Sequence, residues 1–252
     1  MKRNIKLTVS YDGTDFNGWQ VQTNGRTVQG EIEKALGIIH QEKIKLTGSG
    51  RTDSGVHAKG QIANFYTEKD NIPADKFTAA LNSMLPRDIR ILKAEAVSDE
   101  FHSRFDAKIR IYRYYIKAGG SCEPWHDRYC WRTRHVPDIG RLNRLAAPLS
   151  GIHDFTTFTA AGDPSKSKIR QLYTAAFTIE GAFLVFKIAG NAFLWRMVRS
   201  LVGTLMQLEE GGAGSDEMRR ILTSLDRSEA GTTAPARGLF LEKVLYDERS
   251  II

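Results

Sequence analysis

A repeated order of secondary-structure elements constrains this chain more than any other feature. Residues 4–11 place Ile5, Leu7, Val9 and Tyr11 on alternate positions, the period-two pattern of a strand. Thr27 then opens a helix whose Val28, Ile32, Leu36 and Ile39 share one stripe. Residues 43–48 and 61–67 read as strands. Pro73 can sit in the first turn of a helix carrying Phe77, Ala80, Leu81 and Met84, and residues 89–97 form another strand. The order is β-α-β-β-α-β, the split or ferredoxin-like pattern. The second half repeats it. Residues 109–117 are a strand, and Pro137 precedes a helix with Ile139, Leu142 and Leu145 in phase. Strands at 169–179 and 183–189 meet in a hairpin at Glu180-Gly181-Ala182. Helices at about 192–210 and at 215–224 follow, and a strand at 239–246 closes the copy. The expected fold is α+β: two ferredoxin-like (RRM-like) βαββαβ subdomains with antiparallel sheets, at 1–105 and 106–252. The seam falls within residues 101–105.

Composition narrows the class. With 252 residues and 41% hydrophobic content, the chain can bury a core in each half. No run of about 18 uncharged apolar residues occurs, so no membrane span is expected. The start, Met1-Lys2-Arg3-Asn4, leads into a strand pattern and not an apolar signal segment. Cys122 and Cys130 provide neither a disulfide framework nor C-x-x-C zinc spacing; they read as reduced thiols of a cytosolic protein. The net charge is +7, which fits a polyanionic partner. Residues 1–105 hold 15 basic and 13 acidic side chains, and residues 106–252 hold 21 and 16. The richest stretch, 104–134, has eight basic and three acidic residues.

Within that stretch, Lys108-Ile109-Arg110-Ile111-Tyr112-Arg113-Tyr114-Tyr115 interleaves cations with aromatics. Strand alternation puts Arg110, Tyr112 and Tyr114 on one face. Such a face either holds phosphate and stacks a base, or lays tyrosines over a core with their hydroxyls reaching out.

The segment Gly48-Ser49-Gly50-Arg51-Thr52-Asp53-Ser54-Gly55-Val56-His57-Ala58 fits no nucleotide loop. Asp53 stands where the third glycine of G-x-G-x-x-G belongs, and no Gly-Lys-Ser/Thr follows. What remains is a tight loop holding a carboxylate between an arginine and a histidine. Asp53 is either an Asx-turn former or a carboxylate kept ionised by a cation and used as nucleophile or base. No H-E-x-x-H or second histidine at ligand spacing accompanies His57, so no metal is expected. On the long helix, Leu194, Val198, Leu201 and Leu205 form the apolar stripe, with Arg196 and Arg199 on a neighbouring face. Arginines in first turns oppose the helix dipole, which hints at an anionic partner.

Gly50 to Ala58 resembles the G-R-T-D-A-G-V-H-A signature of the TruA tRNA pseudouridine synthases, with Ser54 in place of the usual alanine. The resemblance spans the chain. It includes Tyr11 to Phe16, Gly18-Trp19-Gln20, Ala80-Leu81-Asn82 with Leu85-Pro86, and Phe105-Asp106-Ala107. It continues through Tyr112-Arg113-Tyr114, Gly151 to Phe155, Phe193 to Arg199 and Ala234 to Tyr246. Trp195-Arg196 stands where tyrosine and histidine are commoner, adding bulk and a cation.

The resemblance implies a cytoplasmic homodimer with two ferredoxin-like halves flanking a basic cleft. It implies isomerisation of uridine to pseudouridine at positions 38, 39 and 40 of the tRNA anticodon stem-loop, without cofactor or metal. Carried over position by position, Asp53 matches the catalytic aspartate and Arg51 the arginine that assists base flipping. Tyr112 matches the tyrosine that stacks on the target base, and Arg199 the arginine that pairs with the aspartate. Arg110, Arg196, Lys166, Lys168 and Arg170 are the expected phosphate-holding residues, binding without reading sequence. The rival readings are a non-catalytic RNA-binding module and a paralogue acting on a different uridine. A DNA base-modifying enzyme is disfavoured because zinc deaminase signatures are missing.

Overall fold

The first alternating run becomes the middle of a sheet. In the computed structural model, which describes residues 2–247, β1 (Arg3–Tyr11) buries Ile5, Leu7 and Val9 completely. It is followed by α1 (Val28–His40), β2 (Thr47–Gly48), β3 (His57–Thr67), α2 (Lys76–Asn82) and β4 (Ile89–Val97). This is the expected β-α-β-β-α-β order. β1 pairs antiparallel with β3 (Ile5 opposite Phe65) and with β4 (Ile5 opposite Ala96). Thr27 caps α1, its side chain accepting from the Gly30 N–H at 3.3 Å. Val28, Ile32 and Leu36 are fully buried, as the stripe predicts. Phe65 and Phe77 meet edge to face at 5.3 Å, with His40 stacked on Phe77 at 5.9 Å. Both His40 ring nitrogens are used, on Leu36 O and Thr67 Oγ1, each at 2.8 Å.

The strand expected over 43–48 shrinks to two residues. The backbone before it is taken by helix side chains: Leu46 N–H donates to Glu33 Oε1 at 2.9 Å, and Leu46 O accepts from Gln29 Nε2 at 3.0 Å. These bonds satisfy the peptide that a strand ladder would otherwise hold.

The second unit begins at Ile109, three residues beyond the expected boundary, and runs to Leu239. Its elements are β5 (Ile109–Ala118), α3 (Pro124–Asp127), β6 (Trp131–Thr133), α4 (Ile139–Ala146), β7 (Gly151–Asp154), β8 (Ile169–Glu180), β9 (Phe183–Gly190), α5 (Met197–Glu210) and α6 (Ser215–Ser224). The sheet runs β5-β9-β8-β7, antiparallel throughout, and β6 pairs parallel with the end of β5. β8 and β9 form the expected hairpin, with Gly181 at φ 58° in the turn. α3, β6 and β7 are additions, each too short for periodicity to show. Asp138 caps α4 by accepting the Arg141 N–H at 3.0 Å. Leu142 and Leu145 of α4, and Leu201 and Leu205 of α5, are fully buried. Cys122 and Cys130 are free thiols with their sulfurs 3.8 Å apart.

The closing strand, β10 (Leu239–Leu245), forms where expected, but from Phe240 it belongs to the first unit. It pairs parallel with β3, Phe240 opposite His57 and Leu241 opposite Ala58. β3 starts at His57, four residues before the expected strand, and β2 pairs only with Ala63 and Asn64. β10 covers part of the β3 edge that the short β2 leaves, and an uncovered buried edge would strand its polar groups. No helix among the described residues is long and apolar enough to cross a membrane.

Candidate active site

In the first unit, Asp53 sits on a loop pinned by the segment that follows β1. Tyr11 hydroxyl and Thr52 Oγ1 are 2.8 Å apart and buried. Trp19 N–H donates to Thr52 O at 3.2 Å, and Ser54 Oγ donates to Phe16 O at 3.1 Å. A further bond within the loop runs from Val56 N–H to Asp53 O at 3.1 Å. Glycine is needed where the two segments touch. A Cβ on Gly13 would lie 2.0 Å from Val56 O, and one on Gly18, at φ 83°, would lie 2.4 Å from Thr52 O. The far end of the loop is the fully buried His57. Its Nδ1 accepts the Gly13 N–H at 3.0 Å and stands 3.1 Å from Asp12 Oδ1, and its ring stacks on Phe240 at 4.5 Å. These bonds fix the backbone on both sides of Asp53. Asp53 itself is half-buried and Arg51, two residues earlier, is exposed. The expected carboxylate and cation therefore share one braced loop.

In the second unit, β5 carries Arg110 and Tyr112. Arg110 Nη1 donates to Asn191 O at 2.6 Å. Tyr112 keeps only 8% of its surface open and meets the Phe193 ring edge-on at 5.1 Å. Tyr114, two residues on, is fully buried, and its hydroxyl donates to Pro235 O at 2.7 Å. Burial pushes its phenol pKa far up. The core alternative therefore describes Tyr114.

Arg199 lies in the first turn of α5, half-buried, and its Nε donates to Ala234 O at 2.8 Å. Arg196 does not share that helix. It has φ 60° and ψ 6°, left-handed, immediately before the first helical residue. The helix expected from about 192 starts at Met197 because a left-handed residue cannot propagate α-helical bonding. The Arg196 guanidinium stands over the exposed Trp195 ring, 5.1 Å from its centroid. Among residues 166–170, Lys166 is exposed, while Lys168 Nζ bonds Asp163 Oδ1 at 2.8 Å. Arg170 Nη1 bonds Ser167 O and Ile169 O at 2.9 and 2.6 Å. Asp163 and Asn191 were not singled out by the sequence; nothing in their local pattern marks the long-range partners they hold.

Among the described residues, no group of three or more His, Cys, Asp or Glu stands together as metal ligands would. What the two units offer chemically is a carboxylate on a rigid loop in one, and cations beside a tyrosine in the other.

Comparison with known proteins bears on both units. The family model described as tRNA pseudouridine synthase matches residues 7–106 and 145–247. A tRNA pseudouridine synthase A of Treponema denticola is 51% identical over 252 residues, covering 98% of this chain and 94% of that protein. The protein of the same name from Borrelia duttonii is 45% identical over 97% of this chain and 100% of its own length. The Brachyspira hyodysenteriae one is also 45% identical, over 97% and 99%. Identity of this order over nearly the whole chain, with a family model matching most of both units, means that the chain belongs to the tRNA pseudouridine synthase family, a family of isomerases.

Proposed function

We propose that this protein isomerises uridine to pseudouridine at positions 38, 39 and 40 of the tRNA anticodon stem-loop, with Asp53 as the catalytic carboxylate. The observation that carries the reading is the family match across nearly the whole chain, including a loop that braces Asp53 from both sides. The reaction breaks the N1–C1′ bond, turns the base and joins C5 to C1′. C5 gives up a proton and N1 gains one, so atoms balance without a redox partner. A carboxylate suits this work because it can attack carbon or take a proton. The target base must first leave its stack. In this reading Arg51 holds the gap it vacates, Tyr112 packs against the turned-out base, and Arg199 supplies the cation that steadies developing negative charge. Arg110, Arg196, Lys166, Lys168 and Arg170 contribute positive charge toward the RNA backbone. Each unit is read as a ferredoxin-like half, and the protein as a cytoplasmic homodimer using no cofactor.

The test uses unmodified tRNA transcripts carrying uridine at 38–40. Wild-type protein should form pseudouridine there, and Asp53→Asn should form none while binding the same transcripts. No product from several such transcripts would overturn the reading. Full activity of Asp53→Asn would remove Asp53 from the chemistry.

A further inference from the structure

The link between β9 and α5 exposes a tryptophan on an unusually well-held backbone. Trp195 N–H donates to Asp163 Oδ2 at 2.6 Å, and Trp195 O accepts the Ala160 N–H at 3.0 Å. The peptide is thus tied on both sides to the 160–163 loop, while Leu194, its neighbour, is buried. Yet the Trp195 side chain is left 43% exposed. Gly162 passes one edge of the ring, where an added Cβ would lie 3.9 Å from Cζ3. Arg196 stands over it at 5.1 Å, in the left-handed conformation that aims it there.

The clamp is a carboxylate with 4% of its side chain exposed. Asp163 Oδ1 accepts from Lys168 Nζ and from the Ser165 N–H, both at 2.8 Å, and Oδ2 accepts from Trp195. A buried ion of this kind is retained only with its full set of partners. Here those partners fix one exposed ring in place. The same link carries Phe193 against Tyr112 and Asn191 against Arg110.

We propose that Trp195, with Arg196 upon it, is a stacking platform for an unpaired nucleobase of the RNA substrate, and that Asp163 is its positioning residue. An indole face accepts any base, and the adjoining guanidinium suits the neighbouring phosphate. A preset ring loses little freedom on binding, which is what the Asp163 clamp supplies. The inference rests on the reading that the chain acts on tRNA.

The test titrates an unmodified tRNA transcript into wild type, Trp195→Ala, Trp195→Phe and Asp163→Asn. Tryptophan fluorescence and pseudouridine formation are followed, with circular dichroism as the check on folding. Trp195→Ala should bind roughly 5- to 150-fold more weakly, the range of one base–aromatic stack. Trp195→Phe should recover much of that loss. Asp163→Asn should raise KM more than it lowers kcat and should weaken the RNA-induced quenching assigned to Trp195. Trp195→Ala binding within about twofold of wild type, or quenched equally by tRNA, would overturn the platform. A change of oligomeric state in Trp195→Ala, with unchanged RNA binding, would assign the face to a protein partner and also overturn it. Wild type making no pseudouridine while Trp195-dependent quenching persists would sink the proposed activity and leave the platform standing. Wild type binding no RNA would sink both.

Discussion

Asp163 shows what a single residue's surroundings decide. Burial by itself would raise its carboxyl pKa; the Lys168 ammonium, with the Trp195 and Ser165 N–H groups, outweighs that and holds it well below the usual carboxylate range. A carboxyl depressed in the folded state stabilises the protein above its unfolded value, near 3.8, and loses that stabilisation as pH falls toward its folded value. The stability gap between wild type and Asp163→Asn should therefore be constant from about pH 8 to pH 5 and close below about pH 4. Chemical denaturation across that range measures it, and a gap that stays constant into strong acid would contradict the ion pair. Little of this is legible in the sequence, because Asp163 and Trp195 lie 32 residues apart and meet only through the fold. The same holds for Tyr114. Alternation put it on a face with Arg110, but whether that face meets RNA or core depends on what packs over it.

Among the elements, the Asp53 loop depends most on a neighbour. Its position comes from the stretch between β1 and α1, which approaches so closely that Gly13 has no room for a side chain. Gly13→Ala must displace the Val56 backbone, and Asp53 with it. If Asp53 is catalytic, a shift of about 1 Å should lower kcat/KM by about 100-fold, with RNA binding changed far less. Steady-state kinetics beside a binding titration separates the two; unchanged kinetics would mean the loop adapts at no loss. The Gly50–Ala58 motif itself is legible because it is contiguous. Its bracing is not, since the bonds come from Tyr11, Phe16 and Trp19. The elements' own spans are legible to the extent that they are local. β4 and α6 coincide with their hydrophobic patterns, and Thr27 caps α1 where the sequence opens that helix. β2 falls short because α1 side chains take the Leu46 backbone, and α5 starts late because Arg196 is left-handed.

For the whole molecule, the net charge of +7 is the quantity a polyanion senses first. RNA affinity should fall steeply with salt as released counterions lose their advantage. Lys166→Ala should flatten the plot of log affinity against log salt by about 0.7–0.9, one phosphate contact, without changing which uridine is modified. Binding measured at four or five salt concentrations decides this, and an unchanged slope would take Lys166 out of the interface. The closing strand is the clearest case of a decision made at this scale. Residues 239–246 read as the sixth element of the second copy, and they do form a strand there. From Phe240 that strand joins the first unit, on the edge of β3 beside His57. By itself, the sequence determined the longer strands and helices, the βαββαβ order of the first unit, the Asp53 motif and the family. These follow from period, caps and contiguous residues, all of which act within a few positions along the chain. Only the tertiary structure decided the pairing of β10, the covering of Tyr114 and the clamp that presents Trp195. Each depends on a hydrogen bond or a packed surface supplied by residues distant in sequence, and no local pattern encodes such a partner.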